Sequence, residues 1–130
     1  MIKTINYKDI DKDRVVNFHA GISRRIILKK DGLGFGLTRT TIFPESGEVF
    51  QHYKHHQEVC YCTKGTGILT CAETGKEFYI NEGDSYILAK NEPHYFKALE
   101  ETVLICAWNP PLTGKEIHRE DGSYSLDGSN

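Results

Sequence analysis

The stretch HYKHHQEVCYC, residues 52–62, places three histidines, a glutamate and two cysteines within eleven residues. In an extended chain alternate side chains share a face, so His56, Glu58 and Cys60 point one way while Val59 and Tyr61 point the other. A histidine and a glutamate two residues apart can then reach into one cavity, and imidazole with carboxylate suits iron, zinc, manganese or copper. The stretch therefore predicts a β-strand whose polar face either ligates a metal or is solvated.

Turn-forming residues recur at short intervals on both sides of this stretch, with β-branched and aromatic runs between them. The turns are predicted at Asp31-Gly32, Ser46-Gly47, Lys64-Gly65, Thr74-Gly75, Glu82-Gly83, Asn91-Glu92-Pro93 and Asn109-Pro110-Pro111. This regular spacing of turns indicates an all-β fold. A length of 130 residues is enough for one domain, residues 1–130. Many short strands in one small domain predict a barrel or jelly roll whose interior can hold a small ligand.

Several elements can be placed within this pattern. Strands are predicted at Ile26–Leu28 and Phe35–Phe43 as a hairpin, then at Phe78–Ile80 and Thr102–Trp108. Asp9–Val16 is weakly helical in character, and residues 1–20 form an amino-terminal segment that is a candidate lid over the pocket. The Gly-, Ser- and Asp-rich residues 122–130 predict a flexible tail.

Composition narrows the classes of partner. A net charge of -2 gives no basic excess for nucleic acid. No apolar run has the length of a signal peptide core or a membrane helix, so we expect a cytoplasmic protein that binds neither nucleic acid nor membrane. The cysteines there should be reduced and are predicted mainly to pack as small hydrophobic residues; they are Cys60, Cys62, Cys71 and Cys106.

A second segment, GDSYILAKNEPHYF, spans residues 83–96. Tyr86 and His94 lie about equally far on either side of a turn near Lys90 and Asn91, so a hairpin would bring them face to face. Each residue taken alone is also typical of an ordinary strand or turn position. The pairing makes them candidates for one site.

Together the two segments resemble the paired motifs of the cupin superfamily. Glu58 is followed seven residues later by Gly65, and Gly83 is followed eleven residues later by His94. Lys54 stands where a typical cupin has a histidine ligand. The resemblance therefore implies that another residue replaces that ligand.

The remaining motifs are similar to those of the ectoine synthase family. They are Ser23-x-Arg25, Asp31–Phe35 (DGLGF), Thr40-Thr41, Tyr53-x-x-His56-x-Glu58, Tyr61-Cys62 and Asn109–His118 (NPPLTGKEIH). The resemblance covers about residues 21 to 124. It implies a single-domain cupin barrel and a homodimer.

The same resemblance implies a metal centre and a reaction. Iron, as Fe2+, is expected on Glu58, Tyr86 and His94, with zinc or another divalent metal as the alternative. The implied reaction is the closure of N-γ-acetyl-L-2,4-diaminobutyrate to ectoine with loss of water, a lyase reaction in which the cation acts as a Lewis acid. A neighbouring cation favours the phenolate form of a tyrosine ligand.

Further roles follow from the matched positions. The implied catalytic residues are Tyr53, His56, Glu116 and His118, and the implied substrate-binding residues are Ser23, Arg25, Thr38, Thr40, Cys106 and Trp108. Since Tyr53 and His56 fall on opposite faces of a regular strand, we expect irregular backbone near Lys54 if both line the pocket.

One departure from the family concerns the pocket wall. Members usually have a tryptophan where this chain has Gly21, and either Phe18 fills that space or the preferred ligand differs. Two other functions therefore stay open: an enzyme that cyclises, hydrolyses or oxygenates a related polar metabolite, and a non-catalytic cupin that binds a small solute.

Overall fold

The structure is a computed structural model that describes residues 2–116. Within that range the chain forms ten β-strands joined by turns and three short 3-10 segments. The strands are β1 Val15–Phe18, β2 Gly21–Ile27, β3 Gly36–Ile42, β4 Glu48–Gln51, β5 Gln57–Lys64, β6 Thr66–Cys71, β7 Glu77–Asn81, β8 Ser85–Leu88, β9 His94–Ala98 and β10 Thr102–Asn109. The 3-10 segments are Lys12–Arg14, Lys29–Asp31 and Pro44–Ser46.

The strands form two antiparallel sheets. One sheet has the order β1-β2-β3-β10-β5-β8, and the other has the order β4-β9-β6-β7. Alternation along each strand turns one side of each sheet inward. This confirms the predicted all-β barrel.

Alternation is clearest in β5, which lies between β10 and β8. Glu58, Cys60 and Cys62 are buried, whereas Val59 and Tyr61 are exposed. The inward side chains of the other strands complete a core that includes Leu69, Ile80, Leu88, Phe96, Leu104 and Trp108. The predicted hairpin of β2 and β3 and the predicted strand at Thr102–Trp108 are confirmed.

The predicted helix at Asp9–Val16 is wrong. Only Lys12–Arg14 forms a single 3-10 turn, and Val15 begins β1, where it pairs with Arg24 of β2. Pairing with a neighbouring strand overrides a weak local preference. Among the described residues no helix is long and apolar enough to cross a membrane.

The irregular backbone expected near Lys54 is present. Strand β4 ends at Gln51 and β5 begins at Gln57, so residues 52–56 form a loop. The side-chain amide of Asn91 donates to the backbone carbonyls of Tyr53, at 2.8 Å, and His56, at 2.9 Å. This loop turns both Tyr53 and His56 inward, where they are 4% and 1% exposed.

Gly21 is required by a close approach of two strands. A Cβ atom added there would collide with the backbone carbonyl oxygen of Thr41 and lie 2.8 Å from its carbonyl carbon. Phe18 is the cross-strand partner of Gly21 in the β1–β2 pair. The Phe18 ring therefore lies beside Gly21, the position at which the resemblance predicts a tryptophan.

We expect Gly21→Ala to lower the free energy of unfolding by roughly 1–3 kcal/mol, because the methyl group forces β2 and β3 apart. Gly34→Ala is the matched control, since a Cβ at Gly34 meets no atom within 4 Å. Urea denaturation of both variants measures the difference. Equal stability of the two variants would contradict the close approach.

Candidate active site

The candidate site is built on one row of side chains that crosses five strands. In the observed register Arg25 pairs with Thr38, Thr38 with Cys106, Cys106 with Cys60, and Cys60 with Tyr86. All five residues are buried. Residues distant in sequence thus lie side by side because neighbouring strands share a register.

One cavity collects seven of the predicted site residues. Ser23, Thr40, Tyr53, Glu58, Tyr86, Cys106 and Trp108 line it together with Phe18, Ile42, Gln51 and Leu104. Phe18 of the amino-terminal segment therefore forms part of the wall of this cavity. This agrees with the expectation that Phe18 fills the space left by Gly21 in place of a tryptophan. Polar groups face aromatic and aliphatic walls, as they do in small-molecule sites, but the cavity has a volume of only about 20 Å³, room for about one water molecule.

Glu58 is the central carboxylate of this cavity. Its side chain is buried beside the thiols of Cys60 and Cys106, and the ligand atoms of these three residues all lie within 4.8 Å of one another. Burial raises the pKa of Glu58 to about 7, and hydrogen bonds from the two thiols oppose the shift. A cation beside Glu58 would restore its charged form.

Tyr86 lines both the Glu58 cavity and an open cleft. His94 lines the same cleft, together with exposed residues such as Phe78 and Ile87. Burial and the nearby Cys60, Glu58 and Cys106 raise the pKa of the Tyr86 phenol well above its ordinary value. The phenol is therefore neutral unless a cation lies next to it.

His94 is oriented by a hydrogen bond through Nδ1. Its Nδ1 lies 3.0 Å from the backbone carbonyl oxygen of Glu92, which only accepts, so Nδ1 carries the proton. Burial lowers the pKa of His94, which keeps the ring neutral and leaves a lone pair on Nε2. Metal-binding histidines typically donate their other ring N–H to a carbonyl in this way.

Gln51 contacts the nitrogen that would bind a metal. Its side-chain amide oxygen Oε1 lies 3.1 Å from Nε2 of His94, and Gln51 also lines the Glu58 cavity. Because an amide oxygen only accepts, a lone pair on Nε2 requires the Gln51 amide to turn its NH2 toward the ring. Gln51 would have to release Nε2 for His94 to join Glu58 and Tyr86.

The predicted hairpin that would bring Tyr86 and His94 face to face is wrong. Strand β8, with Tyr86, pairs with β5 in the six-stranded sheet, whereas β9, with His94, pairs with β4 and β6 in the other sheet. The turn between them crosses from one sheet to the other and does not close a hairpin. Tyr86 and His94 instead line one open cleft, to which both sheets contribute residues.

These residues fit a metal ion once Gln51 releases Nε2 of His94. A buried carboxylate, a phenol and a neutral imidazole are suitable donors for a divalent transition metal. The thiols of Cys60 and Cys106 add two softer donors at the same carboxylate.

Trp108 organises the wall beside Glu58, its partner in the β5–β10 register. Its indole N–H donates to the Thr38 hydroxyl at 3.0 Å. The rings of Tyr53 and His56 meet the indole edge to face, with centroids 4.9 Å and 5.9 Å away. Thr38 and His56 thus contact a lining residue of the cavity, although they do not line it themselves.

Arg25 and Glu116 form a buried pair. Nη1 of Arg25 lies 3.7 Å from a Glu116 carboxylate oxygen, and Nη2 donates to the Glu116 backbone carbonyl at 2.8 Å. The same carboxylate accepts backbone N–H groups of Thr113 and Gly114. Arg25 therefore holds residues 113–116 against the barrel. His118 lies outside the described residues.

Three residues of the site were not predicted for it. Cys60 was interpreted as packing, but its position opposite Cys106 and two residues after Glu58 places it in the ligand cluster. Gln51 and Asn91 were also missed, although Asn91 was noted as a turn residue, and its φ is 58°. Strand alternation could have indicated Cys60, whereas the contacts of Gln51 and Asn91 join segments distant in sequence.

A two-sheet antiparallel barrel with an inward cluster of metal-ligating side chains defines a cupin. Comparison with known proteins agrees and is more specific. Residues 1–128 match the ectoine synthase family. The chain belongs to the ectoine synthase family.

Individual relatives support this assignment. The L-ectoine synthase of Desulfatibacillum aliphaticivorans is 46% identical over 104 residues, which cover 80% of this chain and 79% of that protein. The L-ectoine synthase of Bordetella petrii is 41% identical over 123 residues, covering 93% and 92%. The crystal structure of ectoine synthase from P. lautus superposes with a TM-score of 0.84 at 36% identity, covering 94% of this chain and 87% of that one.

The raised pKa of Glu58 predicts a pH dependence of stability in the metal-free protein. The folded state holds the Glu58 proton up to about pH 7, whereas an unfolded glutamate releases it near its ordinary value of 4.5. The contribution of Glu58 is therefore present below pH 4.5 and is lost as the pH rises to about 7, by about 3 kcal/mol.

Urea denaturation of metal-free wild type and Glu58→Gln across this range isolates the effect, since the glutamine does not titrate. We expect the stability of wild type relative to Glu58→Gln to fall between pH 4.5 and 7. A difference independent of pH would show that the Glu58 carboxyl is not desolvated.

Proposed function

We propose that this chain is an L-ectoine synthase that closes N-γ-acetyl-L-2,4-diaminobutyrate to ectoine with loss of water. The observation that carries the proposal is the shared cavity of Glu58, Tyr86, Ser23, Thr40 and Tyr53, in a chain of the ectoine synthase family. The cavity combines candidate metal ligands with polar groups for a small zwitterionic substrate. A non-catalytic solute site would not require so many ionisable groups around one carboxylate.

The metal is proposed to be Fe2+, held by Glu58, Tyr86 and His94, with zinc as the alternative. When bound, the cation would polarise the amide carbonyl of the substrate as a Lewis acid. Support comes from the lowered pKa of His94 and from Gln51, which lines the Glu58 cavity and contacts Nε2 of His94.

Ring closure needs the substrate to be folded, because its α-amine must reach its own amide carbonyl. The aromatic rings of Phe18, Tyr53 and Trp108 line the cavity and exclude water. Ser23 and Thr40 are cross-strand partners that place two hydroxyl groups on the same wall. Such walls hold the reacting atoms together and remove much of the entropic barrier.

Proton transfer is assigned to groups around Trp108. The amine must lose a proton before it attacks, and the departing oxygen must gain protons to leave as water. Burial lowers the pKa of His56, so its imidazole is neutral near pH 7 and can accept a proton. Tyr53 can donate from its hydroxyl within the cavity, and Glu116 lies close enough to His56 to favour the protonated ring.

Arg25 is proposed to recognise the substrate carboxylate, together with the substrate-binding residues Ser23, Thr38, Thr40, Cys106 and Trp108. Its buried guanidinium already pairs with Glu116, so Arg25 also positions the segment that ends at Glu116. A planar, permanently charged group can serve two oxygen partners at once. His118 is proposed as a further catalytic group, and a cytoplasmic location remains the prediction of the sequence.

The activity is tested by incubating iron-loaded protein with N-γ-acetyl-L-2,4-diaminobutyrate and measuring ectoine by chromatography. We expect ectoine from the wild type, and a loss of both activity and bound iron in Tyr86→Phe, because the phenol oxygen is removed. Tyr79→Phe is the matched control, since Tyr79 is exposed on β7 of the other sheet.

Absence of ectoine from folded, iron-replete wild-type protein would refute the proposed activity. Unchanged iron content in Tyr86→Phe would refute the ligand assignment and leave the activity standing.

A homodimer is proposed through the outer face of β5 and β8. Val59, Tyr61 and Ile87 are 42%, 48% and 64% exposed there, and Val59 is the cross-strand partner of Ile87. Strand β8 is an edge strand of its sheet. An apolar patch at a sheet edge is a suitable surface for a second copy of the chain.

We expect Ile87→Glu to convert the dimer to a monomer, because a carboxylate would be buried at the interface. Light scattering after size-exclusion chromatography measures the mass. Tyr79→Glu, at a 67% exposed position on the other sheet, should leave the dimer intact. A dimer that persists in Ile87→Glu would place the interface elsewhere.

A further inference from the structure

We propose that Cys60, Cys106 and Glu58 form a second set of metal-binding atoms, selective for thiophilic divalent cations such as Zn2+ and Cd2+. The two thiols supply soft donors and Glu58 supplies an oxygen. This site shares Glu58 with the proposed iron site, so the two metals would exclude each other.

The strand register brings the three ligands together. Cys60 follows Glu58 by two residues, so both side chains point into the barrel from β5. Cys106 is the direct partner of Cys60 on β10. The two sulfur atoms lie 3.2 Å apart, and the ligand atoms of all three residues lie within 4.8 Å of one another.

These distances suit a tetrahedral ion. With Zn–S bonds of about 2.3 Å, two sulfur ligands lie about 3.8 Å apart, so the thiols must separate by roughly half an ångström. Small rotations of the two side chains achieve this without movement of the strands. The phenol of Tyr86, the partner of Cys60 on β8, is a candidate for the fourth position.

The environment excludes water from the sulfur atoms. Cys60 is 1% exposed and Cys106 is 3% exposed, and Glu58 and Cys106 both line the Glu58 cavity. Binding would release both thiol protons to the buffer. The two resulting thiolates would then have the cation as their counter-charge.

The other two cysteines are natural controls. The thiol of Cys62 lies 3.3 Å from the Lys64 carbonyl, at one end of β5. Cys71 lies at the end of β6 in the other sheet and is partly exposed. Neither belongs to the group of ligand atoms around Glu58 among the described residues.

The direct test titrates reduced, metal-free protein with Co2+ and with Cd2+ and follows thiolate-to-metal charge-transfer absorption. We expect the absorption to saturate at one equivalent, to be lost in Cys60→Ser and Cys106→Ser, and to persist in Cys62→Ser and Cys71→Ser. Absorption that survives in both Cys60→Ser and Cys106→Ser, or that disappears in Cys71→Ser, would overturn the site.

X-ray absorption spectroscopy of zinc-loaded wild type avoids the risk that a variant does not fold. We expect two sulfur neighbours at about 2.3 Å from the metal. A shell of only nitrogen and oxygen atoms would overturn the proposal.

Competition with iron rests on the proposed function and is measured separately. Zinc-loaded protein should take up at least tenfold less Fe2+ than metal-free protein, and Cys60→Ser should relieve this inhibition. Undiminished iron uptake would refute the shared Glu58 ligand. Because the absorption measurements need no substrate, failure of ectoine synthesis leaves their outcome unaffected.

Discussion

The register of β5 between β10 and β8 is the constraint on which the interior depends. It sets Cys60 between Cys106 and Tyr86 and sets Glu58 opposite Trp108. A shift of one residue would turn Glu58 outward and bring Val59 into the barrel. The candidate metal ligands, the aromatic wall and the thiol pair therefore share one structural cause.

The electrostatics of the interior follow from burial. Arg25 and Glu116 are almost fully buried and compensate each other's charge. Glu58, also buried, has instead a pKa raised to about 7 and neighbours that only donate weak hydrogen bonds. The Glu116 carboxylate is thus paired with a cation, whereas the Glu58 carboxyl has only neutral neighbours. Glu58 is therefore the position in the interior at which a cation can be accepted.

Much of this arrangement could be predicted from alternation and turn chemistry. The inward face of β5 follows from strand alternation, whereas the irregular backbone at Lys54 was expected from the pocket roles that the family resemblance implies for Tyr53 and His56. The placement of Tyr86 and His94 could not be derived correctly, because assignment of β8 and β9 to different sheets depends on pairing with distant strands. Val15 illustrates the same limit: its local sequence is weakly helical, but pairing with Arg24 makes it a strand.

The most direct measurement is anomalous diffraction at the iron edge from crystals of the iron-loaded protein. We predict one strong anomalous peak for iron within bonding distance of a Glu58 carboxylate oxygen, the Tyr86 phenol oxygen and Nε2 of His94. Gln51 should be displaced from that nitrogen. Iron bound elsewhere, or bound at Glu58 while Gln51 still contacts His94, would contradict it.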